Sequence, residues 1–264
     1  MSVLFEPVVI TGGNGAVGKE IVDEFKKRSI SYYHFSDLRN NGLTEIGSVM
    51  HLAARTEPIE EIINANILFL NNVISFALKN SVKTFIFFST ARVYGDVDLE
   101  DVTEDTALKI MNDCYGISKL MGESMLFNNG LQTICLRLPA ILTRKKKDHF
   151  LWNLLDKLIQ NEGITVTNYF KIFNNFIDVP SLIDFLSVCP LNKNFEIYNL
   201  ACKKVMTLFE IVEYIKQAVN SKSDIIPSDI KRNFFNISTS KAERDGFIPP
   251  LPKMIIDYWL GLVL

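Results

Sequence analysis

The first half of the chain alternates short apolar runs with amphipathic stretches. Residues 7–11 (PVVIT) read as a buried strand that runs straight into a glycine-rich segment, 12–18. Over 19–28, Ile21, Val22 and Phe25 recur at the spacing of one helix face. Residues 31–35 are rich in β-formers, and 48–53 (SVMHLA) form a further apolar run. The pattern predicts a helix over 66–79, then a strand over 83–89 (KTFIFFS) that is apolar on both faces, as a central parallel strand must be. A second helix is predicted over 115–127 and another strand over 132–138. Strand–helix alternation of this kind implies right-handed crossovers and an α/β fold with a doubly wound parallel sheet. Beyond about residue 140 the pattern loosens. Residues 150–160 and 208–219 suggest amphipathic helices and 195–200 a strand, while proline and polar residues gather at 227–252. The expected division is a sheet domain over 1–140 and a smaller, mainly substrate-binding region over 141–264, some of whose segments return to the sheet.

Composition narrows the partners. With 28 Lys+Arg against 30 Asp+Glu the chain carries a formal charge of −2, which argues against a nucleic-acid polymer as ligand. The 48% hydrophobic and 22% charged fractions of the 264 residues exclude disorder. No stretch reads as the roughly 20 consecutive apolar residues of a membrane span. The start, MSVLFEPVV, lacks the basic region of a signal peptide, so a cytoplasmic location is expected. Cys114, Cys135, Cys189 and Cys202 form no CxxC pair and the three histidines are scattered, so buried or half-buried free thiols and no metal site are expected.

The glycine segment changes this picture, because it closes a strand and opens a helix. Gly12 suits the tight turn, Gly15 lets the backbone approach a pyrophosphate, and Gly18 lets helix pack on strand, with Ala16 and Val17 in the first helical turn. Free N–H groups and the positive end of the helix would face the phosphates. This is the arrangement of a Rossmann-type dinucleotide site, with spacing G-x-x-G-x-x-G. Asp37 follows Gly18 by 19 residues, where an acid commonly binds the adenosine ribose of NAD. Leu38 and Arg39 come next, and an arginine there suits the 2′-phosphate of NADP, so the residues leave NAD(H) and NADP(H) both open. Asp37 also fits the place of a later Asp-Leu pair that contacts adenine, or a solvated surface.

A second constellation lies downstream. Tyr115 and Lys119 stand four apart on one predicted helix face. A phenol, with a pKa near 10, is a poor proton donor–acceptor at neutral pH, and an ammonium one turn away stabilises its phenolate. Thr90 closes the buried strand 25 residues earlier. In order along the chain stand TGGNGAVG (11–18), HLAA (51–54), Asn66, STARVYG (89–95), YGISK (115–119) and LRLPAI (136–141), with weaker echoes in FNNFIDV (173–179) and YNLAC (198–202). Jointly these resemble the extended short-chain dehydrogenase/reductase family, the nucleotide-sugar epimerases, dehydratases and reductases.

The resemblance implies roles. Gly12, Gly15 and Gly18 would cradle the pyrophosphate, and Leu52, Ala53 and Ala54 would line the adenosine side. Asn66 and Lys119 would lie near the nicotinamide ribose, with Ser89, Pro139, Ala140 and Ile141 also against the cofactor. Thr90 would hold the reacting oxygen, Tyr115 would exchange its proton, and Arg55, Ala91, Arg92 and Asn175 would meet a nucleotide-sugar substrate. Helices 66–79 and 115–127 are where relatives pair, implying a homodimer. Tyr94, His51 and His149 read as structural. The run Arg144–Lys147 fits either a substrate pyrophosphate or a solvated loop.

Departures sharpen the chemistry. Related dehydratases place an Asp-Glu pair after the catalytic Ser/Thr, because elimination needs a further acid and base; here Ala91 and Arg92 stand there. The substrate-binding Asn usual in epimerases falls at Ala140. The expected activity is therefore NAD(P)H-dependent reduction of a keto-sugar nucleotide, of the kind found in surface-polysaccharide pathways. The alternatives are an epimerase with tightly held NAD and a non-catalytic NAD(P)-binding protein.

Overall fold

Val8–Thr11, Ser48–His51 and Thr84–Thr90 are buried along their whole length, and such two-sided burial is stable only where helices cover both faces of a sheet. A computed structural model, which describes residues 3–39, 45–109, 112–145, 149–228 and 230–264, has this architecture. Six strands, β1 (Val8–Thr11), β2 (Tyr32–His34), β3 (Ser48–His51), β4 (Thr84–Thr90), β5 (Thr133–Leu138) and β6 (Phe195–Asn199), form one parallel sheet in the order β6-β5-β4-β3-β1-β2. The fold is the expected doubly wound α/β sheet of Rossmann type. The strand period of two sorts its faces. Val8, Ile10, Met50, Ile86 and Leu136 pack with helices Ala16–Lys27 and Val179–Val188. Val9, Val49, Phe85, Phe87 and Cys135 pack with helices Phe69–Lys79 and Cys114–Phe127.

From β1 the chain runs outward to β2 and then passes back to β3 on the other side of β1. The connections above β1 and β3 therefore diverge and open a crevice at the carboxyl ends of the strands. Both crevice walls are loops read from the sequence, Gly12 onward and Leu52 onward.

Two expectations are corrected. The helix predicted from residue 66 starts at Ile59, after Pro58 at the N-cap and with Glu60 and Glu61 in its first turn, and it passes through a π turn, Ile63–Leu68. Acids in a first turn suit the helix end electrostatically but break the apolar periodicity that marks a helix in sequence. Extended in this way, Ile59–Lys79 spans 21 residues with a mean hydropathy of 1.4 over its most apolar window, long and apolar enough to cross a bilayer. In the fold it is a covering layer of the sheet, with Leu70, Val73, Ile74 and Ala77 buried. Cys114 is exposed, whereas Cys135, Cys189 and Cys202 are buried free thiols.

Beyond residue 140 the chain serves both layers. Helix Val179–Val188 and strand β6 join the sheet domain. Helices Phe150–Gln160, Leu208–Ala218 and Pro252–Val263 build a second apolar cluster containing Leu155, Ile211 and Ile255. At its centre the rings of Trp152 and Trp259 meet edge to face, 5.1 Å apart. Helix Leu208–Ala218 begins with a reciprocal capping box between Thr207 and Glu210. Within the polar stretch 227–252, the short strand Asn236–Ile237 pairs with Asp101–Val102 and ties this cap to the sheet side. Truncation of the fully buried Trp259 to Ala is expected to cost about 3–5 kcal/mol in urea unfolding.

Candidate active site

The cofactor-side geometry starts at Gly12, whose φ of +72° suits glycine and turns the chain at the end of β1. A Cβ there would sit 2.7 Å from the Ala53 nitrogen, and one on Gly18 would sit 2.2 Å from the Gly12 carbonyl oxygen. Only bare backbone fits. Gly15 donates to the Gly12 carbonyl at 2.9 Å, and the helix then begins with Lys19 N–H donating to the Gly15 carbonyl at 3.0 Å. No side chain caps this helix and no acid stands in its first turn. Its positive end, whose first amides have no acceptor among the described residues, therefore opens into a cavity of about 1270 Å³. These residues fit the pyrophosphate of a dinucleotide.

The ends of β1 and β3 are pinned by a hydrogen bond between Thr11 Oγ1 and His51 Nδ1 (2.9 Å), while the Ala53 amide donates to the same hydroxyl at 3.3 Å. His51 is buried and stacks on Phe87, with centroids 6.0 Å apart. Burial, then the charge of Lys119, pulls its pKa down to about 3, so it is a neutral structural imidazole.

The reacting end is assembled from β4 and helix Cys114–Phe127. Thr90 is the last residue of β4, and its Oγ1 accepts from the Arg92 amide at 3.3 Å, which leaves its proton free to donate. Asp113 caps the helix by accepting from the Tyr115 amide at 3.1 Å. The other carboxylate oxygen of Asp113 accepts from Arg92 Nε at 2.7 Å, and the guanidinium lies 5.2 Å from the Tyr115 ring centroid. Burial pushes the Tyr115 phenol up to about 12 against the opposing charge of Arg92. Lys119 lies one turn deeper, with Nζ 4.3 Å from the Phe87 ring centroid. Its burial lowers the ammonium pKa to about 8, against the raising effects of Cys135 and Glu123.

The cavity is lined by the glycine loop, 52–55, 89–92, Tyr115, Lys119, 139–141 and Asn175, so most of the residues singled out in the sequence converge on it. Others do not reach its wall. Asn66, in the π turn, accepts from the Arg55 amide at 2.8 Å and donates to the Arg55 carbonyl at 2.9 Å and to Ser118 Oγ at 2.8 Å. Its side chain is thus spent on positioning the loop that carries Arg55. Asp37 is exposed and accepts from Ser36 Oγ at 3.0 Å, while Leu38 packs toward the core. The smaller pocket beside the glycine loop, about 450 Å³, is lined instead by His34, Phe35, Ser36 and Phe69. The Arg39 side chain lies outside the described residues.

Ser89 lines the cavity, but its hydroxyl donates to Glu123 at 2.5 Å. Tyr94 is buried and donates to Asn199 at 2.6 Å, a packing role. Arg144 is drawn toward helix Ala16–Lys27, its amide donating to Glu20 at 3.0 Å and its guanidinium 3.7 Å from Asp23. Lys145 and His149 line the cavity; Lys146 and Lys147 lie outside the described residues. Sequence reasoning missed Asp113, Phe235 and Ile237 on the wall. An acid just before a helix was a readable cap signal for the first, whereas the other two arrive through the remote pairing of 236–237 with 101–102.

A glycine turn under an open helix end, with a Tyr–Lys pair at the far end of one cavity, defines a dinucleotide-dependent α/β enzyme. The chain belongs to the NAD dependent epimerase/dehydratase family, whose model matches residues 8–201. It is 25% identical over 270 residues to the dTDP-4-dehydro-6-deoxyglucose reductase of Escherichia coli, covering 83% of each chain. Among solved structures it is similar to the UDP-glucose 4-epimerase of Thermus thermophilus in complex with NAD (18% identity, 97% and 99% of the two chains, TM-score 0.74). It is likewise similar to RMD from Pseudomonas aeruginosa complexed with NADPH (17% identity, 96% and 99%, TM-score 0.75).

The neutral His51 has a stability consequence. An unfolded imidazole takes a proton near pH 6.5 and the folded one only near pH 3, so its contribution is complete above 6.5 and is lost as pH falls toward 3. Between pH 7 and pH 5, urea unfolding of the parent is expected to lose about 2 kcal/mol more than that of His51→Gln.

Proposed function

We propose that the protein uses NAD(P)H to reduce the keto group of a keto-sugar nucleotide, as a 4-ketoreductase. One observation carries the reading: Thr90 and Tyr115 bring two hydroxyl groups to the reacting end, and Ala91 and Arg92 follow where elimination would need a second acid–base pair. The carboxylate beside Tyr115, Asp113, is occupied by the helix cap and by Arg92.

When bound, the reduced nicotinamide supplies the hydride. Tyr115, protonated at neutral pH because burial raises its pKa to about 12, gives its proton to the carbonyl oxygen. Thr90 donates a hydrogen bond to the same oxygen, and both stabilise the developing alkoxide. The phenolate left on Tyr115 is favoured by the Lys119 ammonium one helical turn away. Asn175 donates to the Phe235 carbonyl at 3.0 Å, while its buried Oδ1 has no partner among the described residues. That oxygen is suited to accept from a sugar hydroxyl. A nucleotide-sugar substrate and a reduced nicotinamide cofactor are both cytoplasmic solutes, which supports a cytoplasmic location.

The reading is tested by mixing the protein with NADH or NADPH and a panel of 4-keto-6-deoxy sugar nucleotides, following cofactor absorbance and product. Tyr115→Phe is expected to lose at least about 100-fold in turnover while binding cofactor as the parent does. Parental turnover by that variant would falsify the mechanism. Interconversion of a non-keto sugar nucleotide with no net cofactor oxidation moves the assignment to an epimerase.

We further propose a homodimer built on the two helices that cover one face of the sheet. Ile59 and Ile63 on one, and Ile117 and Met121 on the other, are apolar side chains left exposed four residues apart. Light scattering should give twice the chain mass for the parent and the single chain mass for Ile117→Glu/Met121→Glu; a monomeric parent refutes it.

A further inference from the structure

Beneath the reacting end lies a buried polar network that the chemistry above does not use. Arg137, on β5, and Glu123, on helix Cys114–Phe127, are both almost wholly buried and form an ion pair, Nη2 to Oε2 at 2.7 Å and Nε to Oε1 at 3.1 Å. Glu123 also accepts the hydroxyl proton of Ser89 at 2.5 Å, and Ser89 directly precedes Thr90. Arg137 Nη1 reaches Tyr94 Oη at 3.2 Å and the Glu104 carbonyl at 3.3 Å, and Tyr94 donates to Asn199 at the end of β6. Three strand ends and the helix carrying Tyr115 are thus tied to one carboxylate.

We propose that Glu123 is a positioning residue for the Thr90–Tyr115–Lys119 set. Through Ser89 it fixes the strand end bearing Thr90 against the helix, and it places a negative charge one helical turn below the buried ammonium of Lys119. The proposal rests on the reading of those three residues as the reacting set.

The surroundings of Lys119 single Glu123 out. From β3 comes His51, which burial keeps neutral. From β4 comes the uncharged Phe87 ring. From β5 come Cys135, whose burial holds the thiol protonated, and Arg137, a cation. On the same helix stand Tyr115, a neutral phenol, and Glu123. Of the two groups that favour the ammonium, Cys135 and Glu123, the carboxylate is the charged one. Tyr115, Lys119 and Glu123 follow at successive intervals of four, so the helix stacks proton donor, cation and anion along one face.

A Glu123→Gln variant alone strands a buried guanidinium, so it is paired with Glu123→Gln/Arg137→Met, in which an apolar side chain of similar reach replaces the cation. The first readout needs no substrate. In the parent, the lysine 13Cε resonance identified with a Lys119→Arg sample should titrate near pH 8. In Glu123→Gln its midpoint is expected to fall by about half a unit or more, and in the double variant, which also removes the Arg137 cation, by less. The second readout is turnover of a keto-sugar nucleotide, expected to fall about tenfold with KM changed less than about threefold, the alkaline limb moving to lower pH. A parental Lys119 midpoint in folded Glu123→Gln overturns the proposal, even if the melting temperature drops, as does parental turnover in the double variant. A shifted midpoint in a protein that reduces no keto-sugar nucleotide supports this proposal and counts against the proposed activity instead.

Discussion

The fold depends on three backbone segments lying closer together than side chains permit. Gly12 touches the backbone of Ala53, and Gly18 sits on the Gly12 carbonyl with no room for a methyl group. This packing draws the start of helix Ala16–Lys27 onto the junction of β1 and β3, where the sheet topology has already opened a crevice. A phosphate-seeking helix end and the cleft that receives it are therefore one construction. Because no acid or side-chain cap competes for the helix amides, a chain of net charge −2 can still present a local anion site.

At the other end of the cavity, burial separates the proton affinities of neighbouring groups. It raises the Tyr115 phenol to about 12 and lowers the Lys119 ammonium to about 8, so the resting site holds a protonated donor above a cation. The same exclusion of water makes the arrangement demanding, since charges removed from water must be paired or hydrogen-bonded. The network through Glu123, Arg137, Ser89 and Tyr94 meets that demand and also spans the strand ends that carry the site.

Much of the fold was legible because its signals are local. Apolar runs marked β1, β3 and β4, the first of them closed by the glycine segment 12–18, and the period of helix Ala16–Lys27 was visible in Ile21, Val22 and Phe25. The first third of helix Ile59–Lys79 was missed, because its acidic first turn and asparagines hide the apolar stripe. Phe235 and Ile237 reach the cavity through a two-residue pairing across more than a hundred positions, and no local pattern announces such a contact.

The sequence by itself determined the class of the fold, the glycine turn and the order Thr90, Tyr115, Lys119, since these follow from residue type, period and spacing. Tertiary structure decided which side chains are available. Asn66 and Ser89 carry polar groups that suit a cofactor, yet both are consumed by internal partners, Arg55 with Ser118 and Glu123 respectively. Asp37 stands at a fitting distance along the chain but beside the pocket rather than on its wall. Spacing specifies where a residue can lie. Which hydrogen bonds it makes depends on segments brought together only when the sheet and its helices close.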